Sequence, residues 1–222
     1  MKTFYEGHNA VYKKRLAAGS RGWDVSEDGY EIHQSILSDV LANGRAPSSG
    51  KLLELGCGAG NIGLWFAGLG YSVSGVDIAP TAVELAQKRA VESGADASFY
   101  VGNVVDLVSF ADDTFDFVYD SHLLHCIIGD DRGKLFANVR RVLKPSGYFL
   151  VDTMCFCDST LLKFEGFDID SKCTIFDGTA TRYIGEEKDI IRELKDAGFN
   201  ILFHHRDLDP DENGLIVEMT TI

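Results

Sequence analysis

A chain of 222 residues, 45% of them hydrophobic, is long enough to bury one substantial core and has the composition of a soluble domain. Its 34 Asp and Glu against 21 Lys and Arg leave a formal net charge of −13, which sets the surface against polyphosphate and excludes nucleic acid as a partner class. No apolar run is long enough to cross a bilayer and Met1 to Tyr5 lack the apolar region of a secretory signal, so the expectation is a cytoplasmic protein with no membrane partner.

The first 44 residues read as helical. Ser26-Glu27-Asp28 opens a run in which Ile32, Ile36, Leu37, Val40 and Leu41 recur at helical spacing, and Asn43-Gly44 stops it. Residues 1–44 therefore form an expected N-terminal helical cap or lid, with Tyr5, Tyr12 and Trp23 as its aromatics, ahead of a main domain over 45–222. The small basic clusters Lys13-Lys14-Arg15 and Arg140-Arg141 read as solvated helix faces.

From Lys51 strands and helices alternate. The pattern predicts strands near 51–56, 72–77, 97–101, 115–120 and 147–154, and helices near 61–68, 80–93, 130–143 and 186–197. Short strands separated by helical segments imply an α/β, doubly wound, mostly parallel sheet, with ligands bound outside the carboxyl ends of the strands. Glu54, Asp77, Asn103 and Asp120 all fall at or just past such ends. Near the end of the chain, apolar runs at 199–203 and 215–221 flank Asp209-Pro210-Asp211-Glu212-Asn213-Gly214, whose Asn-Gly favours a tight hairpin and predicts an antiparallel last strand.

The chemistry concentrates in Leu52-Leu53-Glu54-Leu55-Gly56-Cys57-Gly58-Ala59-Gly60. Three alternating glycines let the backbone turn tightly and approach a ligand, and the helix from Asn61 directs its free N–H groups at that loop. Asp77, at the tip of the next strand, suits the two hydroxyls of a ribose. Residues 58–63 also spell the dinucleotide pattern G-x-G-x-x-G, which keeps a nicotinamide-dependent oxidoreductase as an alternative. Glu54 tips the balance, because a carboxylate inside a segment fit for burial costs free energy unless it is bonded.

This arrangement resembles motif I of the class I S-adenosylmethionine-dependent methyltransferases. The resemblance runs from about Lys51 to Ile222 and includes Asp113-Thr114-Phe115-Asp116-Phe117-Val118 before Leu123-Leu124-His125, Val142-Leu143-Lys144-Pro145-Ser146-Gly147, and Leu194-Lys195-Asp196-Ala197-Gly198-Phe199. It implies a seven-stranded sheet and S-adenosylmethionine as cofactor. Glu54, Gly56, Cys57, Gly58, Gly60 and Asn61 would shape the methionine pocket, Asp77 and Ile78 the ribose site, and Asn103 and Val104 the adenine site. Asp120 and Ser121 would border the reactive methyl. Many members carry an aspartate where Asn103 stands, and a second glycine where Ser146 stands; the Asn103 amide oxygen still accepts from an adenine amine.

For the acceptor the resemblance implies a small molecule, since the Asn/Asp-Pro-Pro-Tyr/Phe motif is missing after the fourth strand. His122 or His125 is the candidate base for an acceptor proton, whereas His8, His33, His204 and His205 read as structural or exposed. Five cysteines, at 57, 126, 155, 157 and 173, read as reduced thiols. Cys155, Cys157 and Cys173 raise the alternative of a methyltransferase acting on an arsenite-type metalloid, while no C-x-x-C pair points to a bound metal. The insertion from Cys155 to Arg182, with Phe156, Phe164, Phe167, Phe176 and then Tyr183, is a further candidate wall for the acceptor pocket.

Overall fold

The computed structural model describes residues 1–23, 27–157, 160–206 and 214–222. The expected helix start at Ser26 and the expected hairpin turn over 209–213 lie outside them. Strands β1 (Gly50–Leu55), β2 (Tyr71–Asp77), β3 (Ala97–Val101), β4 (Phe115–Ser121), β5 (Leu143–Met154), β9 (Phe199–Arg206) and β10 (Gly214–Thr221) form one seven-stranded sheet in the order β3-β2-β1-β4-β5-β10-β9. Pairing is parallel among β1 to β5, and β10 runs antiparallel to both β5 and β9, with Val217 opposite Val151 and His204. The expected sheet and its antiparallel last strand are both present.

Alternate residues of β1 feed the two faces of the sheet, as a pleated strand requires. Leu52 points to one layer with Leu37 and Val40 of α2 (Glu27–Ala42) and Ile62 and Phe66 of α3 (Asn61–Gly68). There the Phe66 ring meets Tyr71, Phe117 and Tyr119 edge-on. Leu53 and Leu55 point to the opposite layer, with Leu135, Phe136 and Val139 of α5 (Asp130–Val142) and Ile190 and Leu194 of α7 (Glu187–Asp196). α1 (His8–Ala17) is tied to α4 (Pro80–Ser93) by the Thr81 N–H, which donates to Asn9 Oδ1 at 3.0 Å. α2 is thus part of a core layer, while α1 sits above the ends of β1 and β2.

β5 differs from its expected bounds. It starts at Leu143, directly after α5, because Leu143 already pairs with Phe115 before a bulge shifts the register. Ser146 in this stretch has φ 59°, a left-handed turn where glycine is the easy residue.

The insertion after β5 carries a second sheet that periodicity did not reveal. β6 (Phe167–Asp168), β7 (Cys173–Phe176) and β8 (Thr179–Tyr183) form three antiparallel strands, joined between β7 and β8 by Asp177-Gly178 with φ of 51° and 74°. A short helix, α6 (Thr160–Lys163), precedes it. Among the described residues no helix is long and apolar enough to cross a membrane.

Candidate active site

The sheet order reverses between β1 and β4, so the loops that follow these two strands diverge and open a crevice. In the loop after β1, the Gly56 and Cys57 N–H groups donate to Val76 O at 2.8 and 3.1 Å, locking the turn onto β2. Gly56 has φ 75°, and a Cβ there would lie 2.9 Å from Leu123. The Gly58 N–H donates to Asp77 Oδ2 at 2.9 Å and the Ala79 N–H to Asp77 Oδ1 at 2.8 Å. Asp77 therefore clamps the glycine loop to the start of α4, and each of its oxygens keeps a lone pair for a ligand. Burial raises its pKa, against the pull of the Ala79 and Gly58 N–H groups and the charge of His8.

Glu54 is 1% exposed, and its Oε2 has no hydrogen-bond partner among the described residues. Burial pushes its pKa up to about 8; the Ser121 hydroxyl pulls it down, the charge of Asp77 raises it further, and the Gly63 N–H opposes. An enclosed carboxyl with an orphaned oxygen beside a glycine cradle fits a ligand that brings a positive charge.

The crevice is a cavity of about 810 Å³. Of the residues the sequence singled out, Glu54, Gly56, Cys57, Gly58, Asn61, Asp77, Ile78, Asn103, Val104, Ser121, His122 and His125 line it. Gly60 and Asp120 do not. A Cβ on Gly60 would meet Ala86 and Phe99 at 2.9 and 3.1 Å, so its role is to let α3, α4 and β3 close up behind the loop. Asp120 Oδ1 accepts the Leu123 N–H at 3.1 Å, and burial with the neighbouring charge of Asp152 lifts its pKa far above the carboxylate range. It shapes the loop after β4 through that bond. Asn103 Oδ1 accepts the Val105 N–H at 3.1 Å, a turn contact that leaves its amide at the cavity.

Beyond the glycine loop the cavity gathers imidazoles around one carboxylate. The His122 N–H bonds back to Asp120 O at 3.0 Å, and φ of 56° carries the side chain into the cavity. His122 Nδ1 lies 3.5 Å from Asp152 Oδ1, His33 Nδ1 lies 3.3 Å from Asp152 Oδ2, and the Tyr119 hydroxyl donates to Oδ2 at 3.4 Å. Burial alone would raise the Asp152 pKa, but the bonds and charges of His122 and His33 outweigh it and hold the carboxyl well below its usual range. His125 packs against the His122 ring at 4.7 Å, and burial, with His122 and Arg182 adding, drives its pKa far down, so it is neutral.

Several expectations change here. His33, read as structural or exposed, sits in the cavity on Asp152, and His8 and His205 also line it; His204 is a surface partner of Glu187. Sequence reasoning missed Asp152, which is internal to a strand and carries no motif. Of the insertion aromatics only Phe164 lines the cavity. Phe156 stacks on Phe167, Tyr183 receives the Arg132 guanidinium, and Phe176 is exposed. The metalloid alternative fails on placement. Cys155 lies in the main core and Cys173 in a separate cluster with Ile128 and Ala180, and among the described residues no His, Cys, Asp and Glu group could hold a metal ion.

A glycine cradle at the switch point, an acid at the tip of β2 and an antiparallel last strand together define a class of enzyme. The chain is similar to the class I S-adenosylmethionine-dependent methyltransferases, whose cofactor is S-adenosylmethionine. Residues 53–151 match the family described as "Methyltransferase domain". A ubiquinone biosynthesis O-methyltransferase from Xanthomonas axonopodis is 26% identical over 149 residues, covering 66% of this chain and 62% of that protein. The chain thus spans less than two thirds of that relative. A S-adenosylmethionine-dependent methyltransferase from Methanosarcina mazei is 26% identical with a TM-score of 0.65, covering 82% of this chain and 97% of that one. In fold the chain also matches a 1,6-didemethyltoxoflavin-N1-methyltransferase from Burkholderia thailandensis, solved with its acceptor and S-adenosylhomocysteine. That likeness has a TM-score of 0.70 at 19% identity, over 96% of this chain and 84% of that one. These likenesses favour S-adenosylmethionine over the nicotinamide alternative.

Proposed function

We propose that this protein is a cytoplasmic enzyme that methylates a hydroxyl or amine of a small molecule. The observation that carries the reading is His122, which shares one cavity with the glycine loop and stands on the ionised Asp152. When bound, S-adenosylmethionine supplies an electrophilic methyl on a sulfonium. Glu54, Gly56, Cys57, Gly58 and Asn61 would surround its methionine part, with Gly60 letting the loop close up behind them, Asp77 and Ile78 would hold the ribose, and Asn103 and Val104 would face the adenine. Asp120 and Ser121 would fix the loop beside the methyl, and α1 with the first residues of the chain would close over the cavity.

Asp152 fixes the tautomer of His122 by accepting from Nδ1, which leaves Nε2 as a proton acceptor. With the acceptor held in line with that methyl, its proton would pass to His122 Nε2, and the Asp152 charge would stabilise the imidazolium that forms. The relatives that methylate an oxygen of a ubiquinone precursor and a toxoflavin nitrogen support a small acceptor. The test is S-adenosylhomocysteine release by the protein across fractionated metabolite pools, with the methylated product identified by mass spectrometry. Release with no pool, by a protein that binds S-adenosylmethionine, would reject the enzyme reading.

A further inference from the structure

The proposed reaction gives no role to one cation at the acceptor end of the cavity. Arg182, on β8 of the insertion, lines the wall beside His125 and Cys126. Its Nε is buried without a hydrogen-bond partner, and among the described residues it joins no ion pair. Arg45, which also lines the cavity, is different: its guanidinium donates to both carboxylate oxygens of Glu218 at 2.8 and 2.7 Å. In a chain with net charge −13, a cavity arginine without a carboxylate is a marked omission.

A second group points the same way. His125 is 4% exposed, lines the same wall, and its buried Nδ1 has no partner among the described residues. A neutral imidazole here presents one N–H and one bare nitrogen. Both orphans are satisfied at once by a ligand oxygen pair that accepts from the guanidinium fork and from the ring N–H.

We propose that Arg182 and His125 form a subsite for a carboxylate carried by the methyl acceptor. This deepens the methyltransferase reading and rests on it: the substrate class becomes a small hydroxy or amino acid whose hydroxyl or amine lies at His122. A carboxylate suits the site better than a phosphate, because one guanidinium balances one negative charge and the cavity wall already holds Glu54, Asp77, Asp152 and Glu218. The 4.7 Å between the His122 and His125 rings puts the anchor one small ring or short chain away from the reacting proton.

The test is calorimetry on the full chain saturated with S-adenosylhomocysteine. The probes are hydroxylated aromatic and aliphatic carboxylates, each paired with its primary amide as a neutral mimic. Affinity for S-adenosylhomocysteine is measured first in every variant, so that a failure of the cofactor reading appears separately. The expected result is at least one acid bound about tenfold or more tighter than its amide, a ratio that falls to about one in Arg182→Met and is partly kept in Arg182→Lys, in line with a charged hydrogen bond. Arg182→Gln, which keeps shape and polarity, guards against a folding artefact and should behave like Arg182→Met. Acid and amide affinities equal for every pair, or a preference that survives in Arg182→Met, would overturn the proposal. So would a large loss of S-adenosylhomocysteine affinity in folded Arg182→Met, which would put this arginine on the cofactor's own carboxylate.

Discussion

Glu54 must give up a proton when an ammonium group arrives beside it, and that proton can be counted. In the free protein the carboxyl is enclosed at the end of β1 with a pKa of about 8. At pH 7 such a group is roughly nine-tenths protonated, and a cation within ~4 to 6 Å lowers a carboxyl pKa by ~1 to 3 units. Binding of S-adenosylhomocysteine at pH 7 should therefore release about 0.4 to 0.9 of a proton, more the larger the drop in pKa. Calorimetry in buffers of different ionisation enthalpy measures it, and the affinity should rise toward pH 8, by at most about tenfold per pH unit, and then level. Glu54→Gln should release none and show no such slope.

The same carboxyl sets the stability of the free protein. Its folded pKa of about 8 lies above the unfolded 4.5, so its contribution is fully present below pH 4.5 and is lost as pH rises through 8. The shift corresponds to a loss on the order of 5 kcal/mol across that window. The melting temperature of the free protein should fall between pH 5 and pH 8.5 more steeply than that of Glu54→Gln, and saturating S-adenosylhomocysteine should flatten the difference. No proton release at pH 7, or the same release in Glu54→Gln, would refute the reasoning.

Asp77→Ala should weaken S-adenosylhomocysteine binding by roughly 2 to 3 kcal/mol, because it removes the ribose acceptor and frees the Gly58 and Ala79 N–H groups together; an unchanged calorimetric affinity would sink the assignment. Asn103→Ala should cost more affinity than Asn103→Asp, since the aspartate still accepts the Val105 N–H and the adenine amine, and the reverse order would remove adenine from this position. Once an acceptor is in hand, His122→Asn should lower kcat by about 10² to 10³ while leaving S-adenosylhomocysteine affinity unchanged, and a kcat kept at the wild-type level would end its role as base.

The glycine-loop half of the cavity was legible because its residues lie at strand ends in sequence order. Gly56, Gly58, Asp77 and Asn103 each follow an apolar run by a fixed step, and a parallel sheet brings such steps to one edge. In the other half His122 and His125 were legible, but the carboxylate that His122 stands on was not. Asp152 sits within an apolar strand as an isolated acid, and its partners arrive from α2 and from the loop after β4, at 119 and 30 positions away in sequence. No local period connects them. Arg182 was within reach, since Asp177-Gly178 between the short runs Cys173–Phe176 and Thr179–Tyr183 is the strongest short-range hairpin signal a sequence offers. Seen as a hairpin, those runs put Arg182 opposite Thr174 on a small sheet.

The Asp152 carboxylate links the N-terminal helices to the chemistry more tightly than a lid would. A buried carboxylate stays ionised only while bonded groups replace its hydration, and here the replacements are His33, His122 and the Tyr119 hydroxyl. Two of them are fixed by the central sheet and the loop after β4. The third rides on α2, whose Leu37 and Val40 are packed into the layer beneath the sheet with Phe66 and Phe117. Displacing α2 would therefore expose core surface and at the same time remove one imidazole from Asp152. With His33 gone, the carboxylate would lose a group that lowers its pKa, and with it part of its hold on the Nδ1 proton of His122. On this reading α1 and the first residues of the chain are the parts to open for substrate, because apart from Tyr5 at the edge of the main core they meet the rest through a small cluster of Tyr12 with Ala79 and Ala82 and through hydrogen bonds at Asn9 and Thr3. The helix that supplies His33 stays, and the base remains set between one turnover and the next.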